Sequence, residues 1–96
     1  MTDDDRKFLT EAMREDWVEP YLDDYADYGK GRTNLRIVDR NRTFTTWDDF
    51  GAVQKELWSP EFQAWLETRM TWREWEKKTP EEKCSYYIIY LKDRKP

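Results

Sequence analysis

The clearest structural signal in the chain lies in residues 46–62, TWDDFGAVQKELWSPEF. Thr46 can cap a helix with its hydroxyl, and Asp49 stands three positions later, as in a capping box. Apolar residues follow at the 3- and 4-residue spacing of a helix face: Trp47, Phe50, Val53, Leu57 and Trp58. Ser59 and Pro60 suit the start of a second helix, because serine caps well and proline is tolerated in a first turn. The stretch therefore predicts two consecutive amphipathic helices.

The helical pattern continues on both sides of this stretch. The second helix is expected to run on towards residue 78, carrying Trp72 and Trp75 along its face. Thr79 and Pro80 repeat the cap-plus-proline start, and a last helix follows with an apolar stripe of Cys84, Tyr87, Ile88 and Leu91. Near the beginning of the chain, Thr2 and three aspartates predict a first helix over about residues 3–16.

Two short β-prone segments lie between the first helix and Thr46. Residues 34–38 and 42–45 are separated by Asp39-Arg40-Asn41, which favours a turn, so they predict a small hairpin in which Leu35 and Ile37 share a face. Residues 17–32 are interpreted as an irregular acidic and aromatic segment. The predicted fold class is α+β: about four helices with a small antiparallel β-hairpin inserted after the first helix, in a single compact domain spanning residues 1–96.

Composition narrows the function classes. The chain has 96 residues, of which 40% are charged and 17% aromatic, enough large side chains for one core. It contains no histidine and one cysteine, so the usual general base, metal ligand and nucleophile pairs are missing. No catalytic residue, metal site or cofactor is predicted, and the acid pairs Asp48/Asp49 and Glu81/Glu82 are assigned to helix capping. Without an apolar span or a signal peptide, a cytoplasmic binding protein is expected.

A family resemblance rests on two phrases of the sequence. They are DWVEP at residues 16–20 and RTFTTWDDFG at residues 42–51, whose most specific part is Phe44-x-x-Trp47-x-x-Phe50-Gly51. Together with the opening helix, the chain resembles small proteins of bacteriophages and prophages of the phage ABA sandwich type, over about residues 1–66. The resemblance implies a phage origin and strands between helices, without an agreed activity. Members carry a His or Cys near the position of Trp17, and this chain has neither.

The first candidate surface is acidic and aromatic. Residues 1–28 hold ten acidic against three basic side chains. Carboxylates in place of phosphates and aromatic rings in place of bases could imitate nucleic acid and block a basic groove. The alternative is a solvated loop whose rings cover the core. The candidate partner-binding residues are Asp16, Trp17, Glu19, Tyr21, Asp23, Asp24, Tyr25, Asp27 and Tyr28.

The second candidate surface is basic. Residues 29–43 hold five basic side chains against one acidic, and arginine forks bind phosphate well. The candidate phosphate-binding residues are Arg32, Arg36, Arg40 and Arg42. The alternative is ion pairing with the acidic segment that precedes them. Direct binding of long nucleic acid is not expected, because the net charge of the whole chain is −4.

The tryptophans supply a third candidate surface. Five of the six lie between residues 47 and 75, more than one short core hides, so Trp72 and Trp75 are predicted to be exposed or at an interface. Self-association is the common consequence of such a patch. Cys84, on the apolar stripe of the last helix, is predicted to be buried.

These observations lead to one functional hypothesis and two alternatives. The leading hypothesis is a non-enzymatic phage-type accessory protein that binds and inhibits a host antiviral component, such as a CRISPR effector, in the bacterial cytoplasm. The partner would be a host protein that itself binds nucleic acid. The first alternative is a small-molecule binder that sequesters a nucleotide immune signal. The second is a structural protein that forms homo-oligomers.

Overall fold

The computed structural model describes residues 1–27, 29 and 32–94, with the side chains of residues 25–27 and 32–34 excluded. The described residues form five helices and a two-stranded antiparallel sheet, which confirms the α+β class and the hairpin after the first helix. The elements in chain order are α1 (Asp3–Ala12), β1 (Tyr21–Asp27), β2 (Arg32–Val38), α2 (Trp47–Leu57), α3 (Pro60–Glu67), α4 (Trp72–Glu76) and α5 (Pro80–Asp93).

Every helix begins at a hydroxyl side chain that accepts a hydrogen bond from the backbone N–H three residues later, as local capping chemistry predicts. At α5 the arrangement is reciprocal, because the Glu82 carboxylate also accepts from the Thr79 N–H at 3.2 Å. At α2 the cap forms, but the Asp49 carboxylate bonds elsewhere, so the predicted capping box is only half present. The capping residues are Thr2, Thr46, Ser59, Thr71 and Thr79.

Two predicted helices are shorter than expected. The first helix ends at Ala12 rather than near residue 16, because Arg14 adopts a left-handed φ of 63° that no helix accommodates. The helix predicted to run from residue 60 to about 78 is divided into α3 and α4. Thr68 ends α3 by donating its hydroxyl to the Trp65 carbonyl at 2.6 Å, and Thr71 caps a new helix three residues later. A second cap inside the predicted helix therefore accounts for the fifth helix.

The core is an aromatic cluster built around α5. Phe62 of α3 is fully buried and stacks on Tyr87 of α5, with ring centroids 4.1 Å apart. Helices α1, α2 and α3 all pack against α5. Cys84 is buried, as predicted, and burial raises the pKa of its thiol to about 12, so it remains protonated and unreactive near neutral pH.

The tryptophans divide differently from the prediction. Trp75 is only 6% exposed and contacts Phe50 and Phe62, so it is a core residue and not an interface residue. The short helix α4 directs it inward, while Trp72 on the same helix remains 41% exposed, as predicted. Trp47, expected in the core, is 58% exposed.

Lys83 of α5 lies among three aromatic rings. Its side chain is buried, and its Nζ lies over the rings of Trp47, Phe50 and Trp75 at 4.9, 5.1 and 5.4 Å from their centroids. The lysine stem is thus buried among apolar groups, while the three ring faces stabilise its charge.

The hairpin uses a different partner strand from the one predicted. Residues 34–38 lie in β2, as expected, but β2 pairs with β1, from Tyr21↔Val38 to Asp27↔Arg32, and not with residues 42–45. The interpretation of residues 17–32 as irregular was therefore wrong for β1. Aspartates disfavour strands in isolation, but here Asp23 faces Arg36, and opposite charges across a strand pair are favourable.

The helices form the compact part of this domain, and the hairpin extends from it. Adjacent residues of a strand point to opposite faces, yet Tyr21 and Leu22 are both exposed, so neither face of the hairpin is covered at this point. The radius of gyration is 17.5 Å, whereas about 12–13 Å is typical of a globular chain of this length. The principal extents, 59 × 30 × 19 Å, reflect this elongation.

Candidate functional site

The base of the hairpin is fixed to α1 by Arg6. This partly buried guanidinium donates to the Asp39 carboxylate at 2.8 Å and to the carbonyl oxygens of Arg42 and Asn41 at 2.9 and 3.3 Å. The Asn41 side chain in turn bonds both the N–H and the carbonyl of Val18, just before β1. The segment after β2 is thereby attached to α1, and the segment before β1 is attached to it through Asn41.

A second ionic network lies beside the first. Arg42 donates two hydrogen bonds to the Glu15 carboxylate at 2.7 and 3.0 Å and one to Asp49 at 2.9 Å. The other Asp49 oxygen accepts from the Phe44 N–H at 3.1 Å and so supports a left-handed φ of 59° at this fully buried residue. The hydrogen bonds from Arg42 lower the pKa of Glu15 and, reciprocally, raise that of Arg42.

The Arg6–Asp39 pair should make stability depend on acidity. The hydrogen bond from Arg6 holds the pKa of Asp39 at about 2, below its usual 3.8. Since the folded state lowers this pKa, the pair stabilises the fold above about pH 4, and the contribution is lost as the pH falls towards 2. We expect Asp39→Asn to lower the urea midpoint at pH 6 and to have little effect at pH 2. The exposed Asp24→Asn is the matched control, and an equal loss at both pH values for Asp39→Asn would contradict the prediction.

The two faces of the hairpin differ in chemistry. Paired residues of an antiparallel ladder lie on the same face, so Leu22, Ile37, Asp24 and Leu35 share one face, which we call the apolar face. Its three large side chains are 65% (Leu22), 68% (Leu35) and 74% (Ile37) exposed. The opposite face carries Tyr21↔Val38 and Asp23↔Arg36. The hairpin thus presents an uncovered apolar surface on one side and a mixed, partly ion-paired surface on the other.

The predicted acidic and aromatic residues whose side chains are described do not form one surface. Asp23 and Asp24 are adjacent in β1 and lie on opposite faces, and Asp23 is paired with Arg36 at 3.7 Å. Glu19 is exposed and lies 3.7 Å from Lys7, Asp16 is exposed, and the half-buried Trp17 ring lies 5.4 Å from the Arg6 guanidinium. The side chains of Tyr25 and Asp27, and all of Tyr28, are outside the described residues.

Of the predicted phosphate-binding arginines whose side chains are described, Arg40 and Arg42 line one cleft, and Arg36 lies apart from them on the hairpin. Arg42 is held by two carboxylates and serves the structure, and Arg36 pairs across the hairpin. Arg40 is exposed and lines a cleft of about 510 Å³ together with Arg14. Arg42, Glu15 and Asp16 line the same cleft, so three arginines stand there against two carboxylates. The side chain of Arg32 is outside the described residues. The acidic and basic segments therefore neutralise each other in part, as the ion-pairing alternative predicts.

Sequence reasoning missed the apolar face as a functional candidate. The alternation of apolar residues in 34–38 predicts that Leu35 and Ile37 share a face of the strand. It does not predict that this face is exposed to solvent, because apolar residues at alternate strand positions are usually covered. Only the identity of the partner strand adds Leu22 and leaves the group uncovered. Exposed apolar patches on a monomer mark interaction surfaces.

Comparison with known proteins gives no match to any protein-family model, curated protein or solved structure. The resemblance to phage ABA sandwich proteins therefore remains a prediction. In the described ranges, no helix has both the length and the apolar character needed to cross a bilayer.

Proposed function

We propose that this protein acts by binding another protein through the apolar face of its hairpin, as a non-enzymatic inhibitor of a host antiviral protein. The observation that carries the proposal is the exposure of Leu22, Leu35 and Ile37 together on a strand pair whose base is fixed to α1. The inhibitory role and the host rest on the resemblance to phage proteins.

Apolar burial is the main attraction that this surface offers. Fully covering a Leu or Ile side chain contributes about 1.5–3 kcal/mol, so the three together offer roughly 3–6 kcal/mol at their present exposure. Nucleic acid presents charged phosphates and has little to gain from such a face. A protein groove lined by apolar side chains is the matching partner.

The charges around the apolar face indicate which charges should surround the groove of the partner. Asp24 lies on the face itself, and Asp16 and Glu19 are exposed near its base. These carboxylates favour a partner with lysines or arginines beside its apolar groove, and they would speed association at low salt. A host protein that binds nucleic acid carries such basic surfaces. The partner is thus of the predicted class, a host protein that binds nucleic acid. It contacts the apolar face and not a surface that imitates nucleic acid.

The test is an affinity capture from the lysate of a phage-susceptible bacterium, followed by a binding assay with the captured protein. The double variant Leu22→Ser/Ile37→Ser should weaken binding by about 10–100-fold, the range of central interface residues. The control is Ile89→Ser, an exposed apolar residue of α5 outside the hairpin, and it should bind as the unmodified protein does. Equal capture by the hairpin variant and the unmodified protein would overturn the proposal.

The same eluate tests the nucleotide alternative. A phosphate-bearing small molecule without a protein partner would favour a binder that uses the cleft between Arg14 and Arg40. The double variant Arg14→Ala/Arg40→Ala should then lose the small molecule, and Leu22→Ser/Ile37→Ser should retain it. That result would establish small-molecule binding as the function in place of protein binding.

A further inference from the structure

We infer that the outer edge of β2 pairs with the same edge of a second copy, forming a two-fold symmetric dimer with a four-stranded antiparallel sheet. The occupant of this edge is a second copy of the chain, so the inference goes beyond the proposed docking of a foreign protein and does not depend on it. The apolar faces of the two hairpins would lie side by side and double the surface offered to a partner.

The edge itself is open in the described part of the chain. The sheet there has two strands, so β1 and β2 each leave one row of backbone N–H and C=O groups without a strand partner. A two-stranded hairpin is marginal in water, and a sheet of three or more strands is more stable. The sequence of β2, RTNLRIV, is rich in β-branched and apolar residues and lacks the proline and clustered charges that usually block an edge.

Overlap and charge together favour one register for this pairing. The register in which all seven residues of β2 overlap is centred on Leu35, which faces its own symmetry mate, and Arg36 faces position 34 of the second copy. No two residues of like charge are then opposite each other. A shift of the centre by one residue in either direction pairs Arg36 with Arg36 or with Arg32, and like charges directly opposite are destabilising. The full-overlap register is therefore also the electrostatically favoured one.

The edge of β1 is unsuitable for the same arrangement. Its sequence, YLDDYAD, has Asp24 at the centre, so full overlap of two β1 edges would set Asp24 against Asp24. Acidic residues on an edge strand are a common protection against further pairing. The assembly should thus stop at two copies.

Pairing of β1 with β2 of another copy is excluded by the size of the helical part. That arrangement would place hairpins side by side, all pointing in the same direction. Each molecule contributes two strands, so neighbouring molecules would be about 10 Å apart, twice the spacing of neighbouring strands. The molecule is at least 19 Å across its shortest extent, so the helices of adjacent copies would collide. Pairing through two β2 edges instead directs the helices to opposite ends of the sheet.

Sedimentation equilibrium over a range of concentrations tests the inference. The protein should approach twice its chain mass of 11.9 kDa as the concentration rises. Leu35→Lys should weaken association about 10-fold or more, because it sets two ammonium groups opposite each other at the centre. Mixing Leu35→Lys with Leu35→Glu should restore a dimer. The matched control is Leu22→Lys, equally exposed on the same face but on β1, which should leave association unchanged.

A cross-link gives a second, independent measurement. Leu35→Cys should form a disulfide between two copies under mild oxidation, because facing residues at the centre of an antiparallel pair have Cα atoms about 4.5–5.5 Å apart. Leu22→Cys should not, and the native Cys84 is buried. A chain that remains monomeric at all concentrations would overturn the inference, as would equal loss of association in Leu35→Lys and Leu22→Lys. Neither result bears on the capture of a foreign protein.

Discussion

Replacing Phe62 with alanine should lower the free energy of unfolding by about 3–5 kcal/mol, the range measured for buried phenylalanines. Phe62 is fully buried, stacks on Tyr87, and makes edge contacts with Trp58, Trp75 and Tyr90. Its removal would leave a cavity walled by large rings, which cannot collapse without losing their own contacts. Urea unfolding followed by tryptophan fluorescence would measure the loss.

The matched control for this prediction is Ile37→Ala. Ile37 is 74% exposed on the hairpin, so its truncation should change stability by less than about 0.5 kcal/mol. A loss below 1 kcal/mol for Phe62→Ala, or equal losses for the two variants, would show that the aromatic cluster does not hold the helices together.

Replacing Arg42 with alanine should lower the free energy of unfolding by about 1–3 kcal/mol. The side chain is about one-third exposed, so the cost falls below the 3–5 kcal/mol of a fully buried ion pair but above that of a surface pair. The Asp49 carboxylate, whose side chain is 14% exposed, would lose its cationic partner while still holding the Phe44 N–H. Chemical denaturation at pH 7 would measure this loss.

Arg36→Ala provides the comparison for Arg42→Ala. The Arg36 side chain is 58% exposed and its ion pair with Asp23 spans 3.7 Å, so its removal should cost less than about 1 kcal/mol. Both variants remove one arginine from the same basic segment. Equal costs would mean that Arg42 is a surface residue in solution and would restore it as a candidate phosphate ligand.

The helices were predictable because their signals are local. Each cap involves residues three apart in the chain, and the apolar faces repeat within a few turns. The cap at Thr71 follows the same rule, but large apolar residues on both sides of it continue at helical spacing, and that pattern concealed the break between α3 and α4. Trp75 follows this break and is buried in the core, whereas the number of tryptophans alone had predicted that it is exposed.

The hairpin shows where local signals end. The strand tendency of residues 34–38 is local and was predicted correctly, but the choice of partner depends on two sets of residues far apart in the chain. Residues 42–45 are withheld from pairing by Arg42, whose bonds reach back to Glu15 and forward to Asp49, and by the buried Phe44. β1 takes their place, with Asp23 opposite Arg36 and Asp27 opposite Arg32.

By itself, the sequence determined four of the five helix starts in the described residues, the aromatic nature of the core, the burial of Cys84 and the α+β class, because each follows from composition or from contacts a few residues apart. Only the tertiary structure decided which strand pairs with β2, that Arg42 is a structural residue, and that Leu22, Leu35 and Ile37 stand together uncovered. Exposure depends on which elements pack against a residue, and those elements are brought there by contacts distant in the chain.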